Sequence, residues 1–154
     1  MASPTSAVAT SYKKELAMAI HNHTATTGNV FKIALYKAAA AVAGTHDATE
    51  TNYSGMGADE LATGGGYTAT GFAWTAAQNI SPDTSGTTAF YSWSVAPAWA
   101  PATFTTSGAL LYNSSASGKA VANFSFGSDQ AVVAGSFLLG LPTNDASNAV
   151  LRIL

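Results

Sequence analysis

Between residues 118 and 153 the chain reads GKAVANFSFGSDQAVVAGSFLLGLPTNDASNAVLRI, with one phase of each stretch apolar and the other small or polar. A period of two lets one face of a strand cover a core. The segment predicts three strands, at 119–126, 131–141 and 148–153, punctuated by a Gly127-Ser128-Asp129 turn and a Pro142-Thr143-Asn144-Asp145 turn. Phe31, Ile33 and Leu35 share one phase of 31–36 and predict a strand there. Strand composition returns at 66–75 and at 87–95, where Ala89, Tyr91, Trp93 and Val95 alternate against Phe90, Ser92 and Ser94. Ser81-Pro82-Asp83 and Ser85-Gly86 mark a turn between those two stretches. Further strands are expected at 102–106 and 108–113, while Pro97 and Pro101 should keep the piece around Trp99 out of a central strand.

One stretch has helical spacing instead. Tyr12, Leu16, Ala19 and Ile20 fall on one face of a short helix running to about Ile20, with Ser11 available as its N-cap. Met1 to Thr10, small residues and a proline, reads as a mobile arm able to order on a partner. Residues 24–29 break the helix. Residues 38–66 are rich in Ala, Thr and Gly and keep no period, so they read as a long excursion with one helical turn near Ala58 to Leu61. Short strands with turn signals at this spacing predict an all-β sandwich or barrel, and among these a jelly-roll-like β-sandwich. The expected organisation is an N-terminal arm and short helix at 1–27 and a β-sandwich domain at 28–154.

Composition turns this scaffold toward contact. Charged residues are 9% of the 154, against roughly 25% in ordinary soluble domains. The surface must therefore be neutral and rich in small residues, with few long charged side chains to desolvate or immobilise when it docks on another protein. That suits a permanent lattice or oligomer. The net charge of -2, with no basic run beyond Lys13-Lys14, leaves no footprint for nucleic acid. No apolar run reaches the roughly 18 residues that span a bilayer, and the first ten residues lack the basic start and apolar core of a signal peptide. The expectation is a soluble, cytoplasmically made protein with no membrane partner. Lys13, Lys14, Lys32 and Lys37 cluster before residue 41 and Asp47, Glu50, Asp59 and Glu60 follow, charges expected to be solvated or to meet complementary patches.

Candidate chemistry changes little. There is no cysteine, hence no disulfide, thiolate metal site or Cys nucleophile. His21, His23 and His46 match none of the stronger zinc spacings and read as solvated histidines. Gly64-Gly65-Gly66 and Gly118-Lys119-Ala120 lack the Lys-Ser/Thr of a phosphate loop and read as turns. Asp59-Glu60 reads as a pair of solvated loop acids rather than an acid and base. No Gly-x-Ser-x-Gly elbow is present. The Asn113-Ser114-Ser115 and Asn123-Phe124-Ser125 sequons read as chance matches in a Ser- and Thr-rich chain. No catalytic, cofactor or metal residue is expected. Trp74 and Trp93 read as core aromatics, whereas Trp99, between its prolines, is the candidate for an exposed anchor.

Several pieces occur together in order: Ser11-Tyr12-Lys13-Lys14-Glu15-Leu16 with His21-Asn22, then Phe31 to Tyr36, Gly66-Tyr67-Thr68-Ala69, Gly108 to Asn113, Lys119-Ala120-Val121-Ala122, Phe126-Gly127-Ser128-Asp129 and Asn148 to Ile153. In these the chain resembles a family of small virion structural proteins of tailed bacteriophages. The resemblance implies a non-enzymatic particle component, a capsid decoration or cement protein with a jelly-roll-like fold. Such a protein would sit on the capsid exterior as a homo-oligomer and bridge subunits of the major capsid protein. Tyr12, Lys13, Lys14 and Leu16 of the arm and helix, with Trp99, are the candidate capsid contacts. The alternative is a tail or fibre module whose aromatics bind a host surface glycan. The Gly-rich insertion at 54–66 departs from the family pattern.

Overall fold

A computed structural model describes residues 4–154. The described residues are mostly β, with one α-helix and two antiparallel sheets. In chain order the elements are β1 (Ala7–Val8), α1 (Thr10–Ala17), β2 (Phe31–Leu35), β3 (Phe72–Trp74), β4 (Asp83–Ser85), β5 (Thr88–Tyr91), β6 (Ala98–Asn113), β7 (Lys119–Leu138) and β8 (Leu151–Ile153), with short 3-10 turns between. The larger sheet runs β1-β7-β6-β2-β3 and the smaller β4-β5-β8.

The alternating stretches make the strands, but they join differently from the expected pattern. Expected strands 102–106 and 108–113 are one strand, β6, and it begins at Ala98, so Trp99 and Pro101 lie within it. Likewise 119–126 and most of 131–141 are one strand, β7. The Gly127-Ser128-Asp129 signal does not reverse the chain. Thr106 pairs with Gln130 and Gly108 with Ser125, so four residues of β7 bulge out opposite one of β6. Gly127 takes φ +76° there, its N–H donates to Ser125 Oγ, and Asp129 Oδ1 accepts the Ala39 N–H. A bulge uses the same Gly and Asp chemistry as a turn. Residues 143–148 are held as a turn by Asp145, whose carboxylate accepts N–H groups from Ser147 and Asn148. The last strand therefore shrinks to Leu151–Ile153 and joins β5 instead of its sequence neighbour.

Phe31 to Leu35 lies between β6 and the edge strand β3 of the larger sheet, and its alternation shows the two faces. Leu111 pairs opposite Ile33 and Leu110 opposite Ala34. On one face Tyr36 donates to Asn123 Oδ1 at 2.6 Å and packs on His46 with ring centroids 4.5 Å apart, under the 37–61 excursion. On the other face Phe31 meets His23 and Trp93, and Trp93 stacks on Trp74 at 5.0 Å. The smaller sheet and the 139–150 segment close that side, around a hollow walled by Ile33, Leu111, Phe124, Leu139 and Val150. The Gly64-Gly65-Gly66 turn is tight against β6: a side chain on Gly66 would run into the Pro101 carbonyl.

The N-terminal segment corrects the mobile-arm expectation. From Pro4 onward it is docked: the Thr5 N–H donates to His46 O, Ser6 Oγ accepts from Ser125, and Ala7 and Val8 pair with Asn123 and Ala122 as an edge strand. The part of the arm at Met1 to Ser3 lies outside the described residues. α1 begins one residue before Ser11, its N-cap position is Ala9 with no side-chain cap, and it ends at Ala17. Ala19, expected on the buried face, is exposed and at φ 55°. At the start of the helix the Thr10 N–H donates to Ala48 O in place of a capping side chain. Among the described residues no helix is long and apolar enough to cross a membrane.

Candidate interaction surfaces and buried polar clusters

The expectation of solvated histidines fails for all three. His21, His23 and His46 are buried. His21 Nε2 lies 2.8 Å from Glu15 Oε2, and Lys119 Nζ donates to Glu15 Oε1 at 2.6 Å. Asn113 Nδ2 donates to Asn29 Oδ1 at 2.8 Å and meets His21 Nδ1 at 3.0 Å. His21 Nδ1 must therefore accept, and Nε2–H donates to Glu15. This neutral form agrees with the direction of its pKa, which burial lowers against the opposing pull of Glu15. Burial also pushes the Glu15 carboxyl up, but the bonds from Lys119 and His21 outweigh it and hold it low. The cluster ties the end of α1 to the start of β7.

His23 completes the cluster from the side. The Tyr12 hydroxyl is 2.8 Å from His23 Nε2, and His23 stacks on Phe31 with ring planes 8° apart. Burial raises the Tyr12 pKa, so the phenol keeps its proton and donates it. Burial, assisted by nearby His21, drives the His23 pKa from 6.5 down to about 4. As pH falls below 6.5 the unfolded chain takes up this proton first, so stability should decline between pH 6.5 and 4 and gain no further slope from His23 below that. The expected loss is on the order of 3 kcal/mol. Urea unfolding across that range should show it, and His23→Gln should flatten it.

The acids of the excursion are structural too, which corrects the reading of Asp59 and Glu60 as solvated. Asp59 is buried and accepts from the N–H groups of Ala43 and Gly44 and from His46 Nε2 at 2.9, 2.7 and 2.9 Å. His46 Nδ1 is 2.7 Å from Glu50 Oε2. Both contacts are hydrogen bonds at once only when both ring nitrogens carry a proton. Glu60, half-buried, accepts from the Tyr53 and Tyr67 hydroxyls and the Thr70 N–H. A segment with no hydrophobic period is thus held by carboxylates gathering backbone N–H groups. Among the described residues none of Lys13, Lys14, Lys32 or Lys37 pairs with these acids; the one lysine in an ion pair is Lys119.

The expected contact residues separate into two kinds. Lys13 and Lys14 are exposed on α1 and Leu16 is half-buried. Tyr12 is buried. Trp99, expected as an exposed anchor, is 7% exposed and packed among Tyr67, Phe72, Phe104 and Phe137. The proline reading failed because β7 returns over this piece and supplies Phe137.

What lies open instead is the far half of the β6–β7 hairpin. From 98 to 106 and from 130 to 138 it extends past the ladder with β2, which covers only 109–113 of β6, and past β1, which covers only 122–123 of β7. The outer edge of β7 beyond 123 has no strand partner among the described residues. This wing carries Val133 at 80% and Leu138 at 65% exposed. No Asp, Glu, Lys or Arg occurs between Asp83 and Lys119 or between Asp129 and Asp145. Those two charge-free runs were the available signal for it. Isolated soluble proteins blunt such edges with charge, proline or cover. In comparisons with known proteins the chain matches no family model, no curated protein and no solved structure, so its role rests on this geometry and on the residues themselves.

Proposed function

We propose that the protein is a structural component of a tailed-phage particle, attached as a homo-oligomer to the capsid exterior, where it bridges subunits of the major capsid protein. The observation that carries the reading is the wing: a long, uncharged, half-apolar hairpin with an unpartnered edge, suited to permanent cover by a neighbour. The resemblance to phage virion proteins supplies the particle. The reading takes the eight strands in two antiparallel sheets as a jelly-roll-like sandwich. Its work is non-enzymatic. A ligand that binds only the assembled shell stabilises it by mass action, and several weak contacts per oligomer multiply. Lys13 and Lys14 offer a second, charged contact on α1. The glycan-binding alternative relied on exposed aromatics, and all three tryptophans are buried.

Val133→Asp with Leu138→Asp tests this. Both sites are exposed, so each change should alter folding stability by no more than about 0.5 kcal/mol. Copies retained on purified particles of the encoding phage should fall at least tenfold. Retention at the wild-type level, or imaging that places a few copies at the tail, would overturn the proposal.

A further inference from the structure

A second surface is built quite differently from the wing. A groove of about 680 Å³ runs between α1 and the smaller sheet, with apolar walls that include Val8, Leu16, Phe90, Leu151 and Ile153. Three features of it point to one kind of occupant. β8 is the marginal strand of its sheet, and among the described residues it pairs with β5 alone, so its other edge presents backbone groups without a ladder partner there. Among the described residues that line the groove the charged side chains are Lys13 and Arg152, both cationic, and Arg152 also reaches Ala146 O at 3.4 Å. His23 and Tyr91 belong to its wall, and the buried His23 Nδ1 and Tyr91 hydroxyl have no hydrogen-bond partner among the described residues. With His23 Nε2 accepting from Tyr12, Nδ1 carries a hydrogen that finds no acceptor.

We infer that this groove takes an extended acidic–apolar peptide segment, which adds a strand to the free edge of β8. Its backbone completes the β8 ladder, and alternate apolar side chains pack on Leu16, Leu151 and Ile153. A carboxylate meets Lys13 and Arg152. Strand addition draws affinity from main-chain bonds and specificity from alternate side chains. The net positive rim favours a carboxylate over a lysine at the same place. Tyr12, Lys13 and Leu16 of the expected contact set all border this groove. The site stands apart from the wing and does not depend on attachment to a capsid.

The probe is a fluorescein-labelled, end-blocked hexapeptide alternating valine with glutamate and threonine, compared with its glutamate-to-lysine counterpart. By anisotropy the acidic peptide should bind the full chain saturably and at least tenfold more tightly, and added salt should weaken it. In ¹⁵N spectra the amides of Leu151, Arg152 and Ile153 should shift. The double variant Lys13→Glu/Arg152→Glu, altered at two exposed positions, should reverse the preference toward the basic peptide while its unfolding midpoint stays near wild type. No saturable binding, equal binding of the two peptides, or an unchanged preference in the double variant would overturn the inference. So would saturable binding of dodecanoate in place of the peptide, or self-association of the chain through β8.

Discussion

Phe31→Ala is expected to destabilise the fold by about 3–5 kcal/mol, the range for an aromatic deleted from a closed core. The side chain is fully buried, and it is where three separate parts of the chain meet. His23, from the segment after α1, stacks on it at 4.7 Å; Trp93, beyond β5, meets its edge at 5.5 Å; its backbone pairs with both Trp74 and Asn113. Removing the ring therefore opens a void bounded by two sheets and the N-terminal segment. These cannot collapse together without breaking the β2 ladder. Phe31→Leu keeps most of the volume and should cost less than half as much. Urea unfolding should show a lower midpoint for Phe31→Ala with little change in slope, since the area exposed on unfolding hardly changes. A loss below about 1 kcal/mol, the level of ordinary substitutions, would mean that the parts do not share this core.

The strand around Phe31 was legible because its alternation is local, and so were the strands at 108–113 and 119–126. What escaped is what distant residues decide. A bulge and a turn at Gly127 look alike in sequence, and pairing of Thr106 with Gln130 selects between them. Trp99 looks exposed between two prolines until Phe137 packs on it from the returning strand. His21 looks solvated until Asn113, about a hundred positions away, bonds its ring and Lys119 supplies the counter-charge of its partner Glu15. The arm looks free because nothing in Ala7-Val8 marks them as partners of Asn123 and Ala122. The contact surface was legible only in outline, as a shortage of charge in the last third of the chain. Its position on the outer half of one hairpin needed the ladder with β2 to be seen to stop at Ala109.

Asp59→Ala should cost about 3–5 kcal/mol near neutral pH, the usual penalty for breaking a buried pair by removing one partner. The carboxylate gathers the Ala43 and Gly44 N–H groups and His46, all in the loop that covers Tyr36 and Asn123. Its loss strands two backbone donors and leaves His46 with Glu50 alone. Asp59→Asn keeps one acceptor and should fall between the variant and wild type. The pH dependence identifies the mechanism. Burial pushes this carboxyl up, but the bonds from Ala43, His46 and Gly44 outweigh it and hold its pKa at about 2, below the ordinary 3.8. As pH falls the unfolded chain takes the proton first, so the contribution of Asp59 is fully present above about pH 4 and drains away as pH falls toward 2. The carboxyls of Glu15, Asp47 and Asp145 are also held low and steepen the same acid limb. The wild-type curve is therefore a joint one, and the difference between wild type and Asp59→Ala isolates this residue. That difference should be constant from pH 7 to about 4 and shrink steadily below it. A difference that stays the same down to pH 2 would mean that Asp59 acts by filling space and not by its charge.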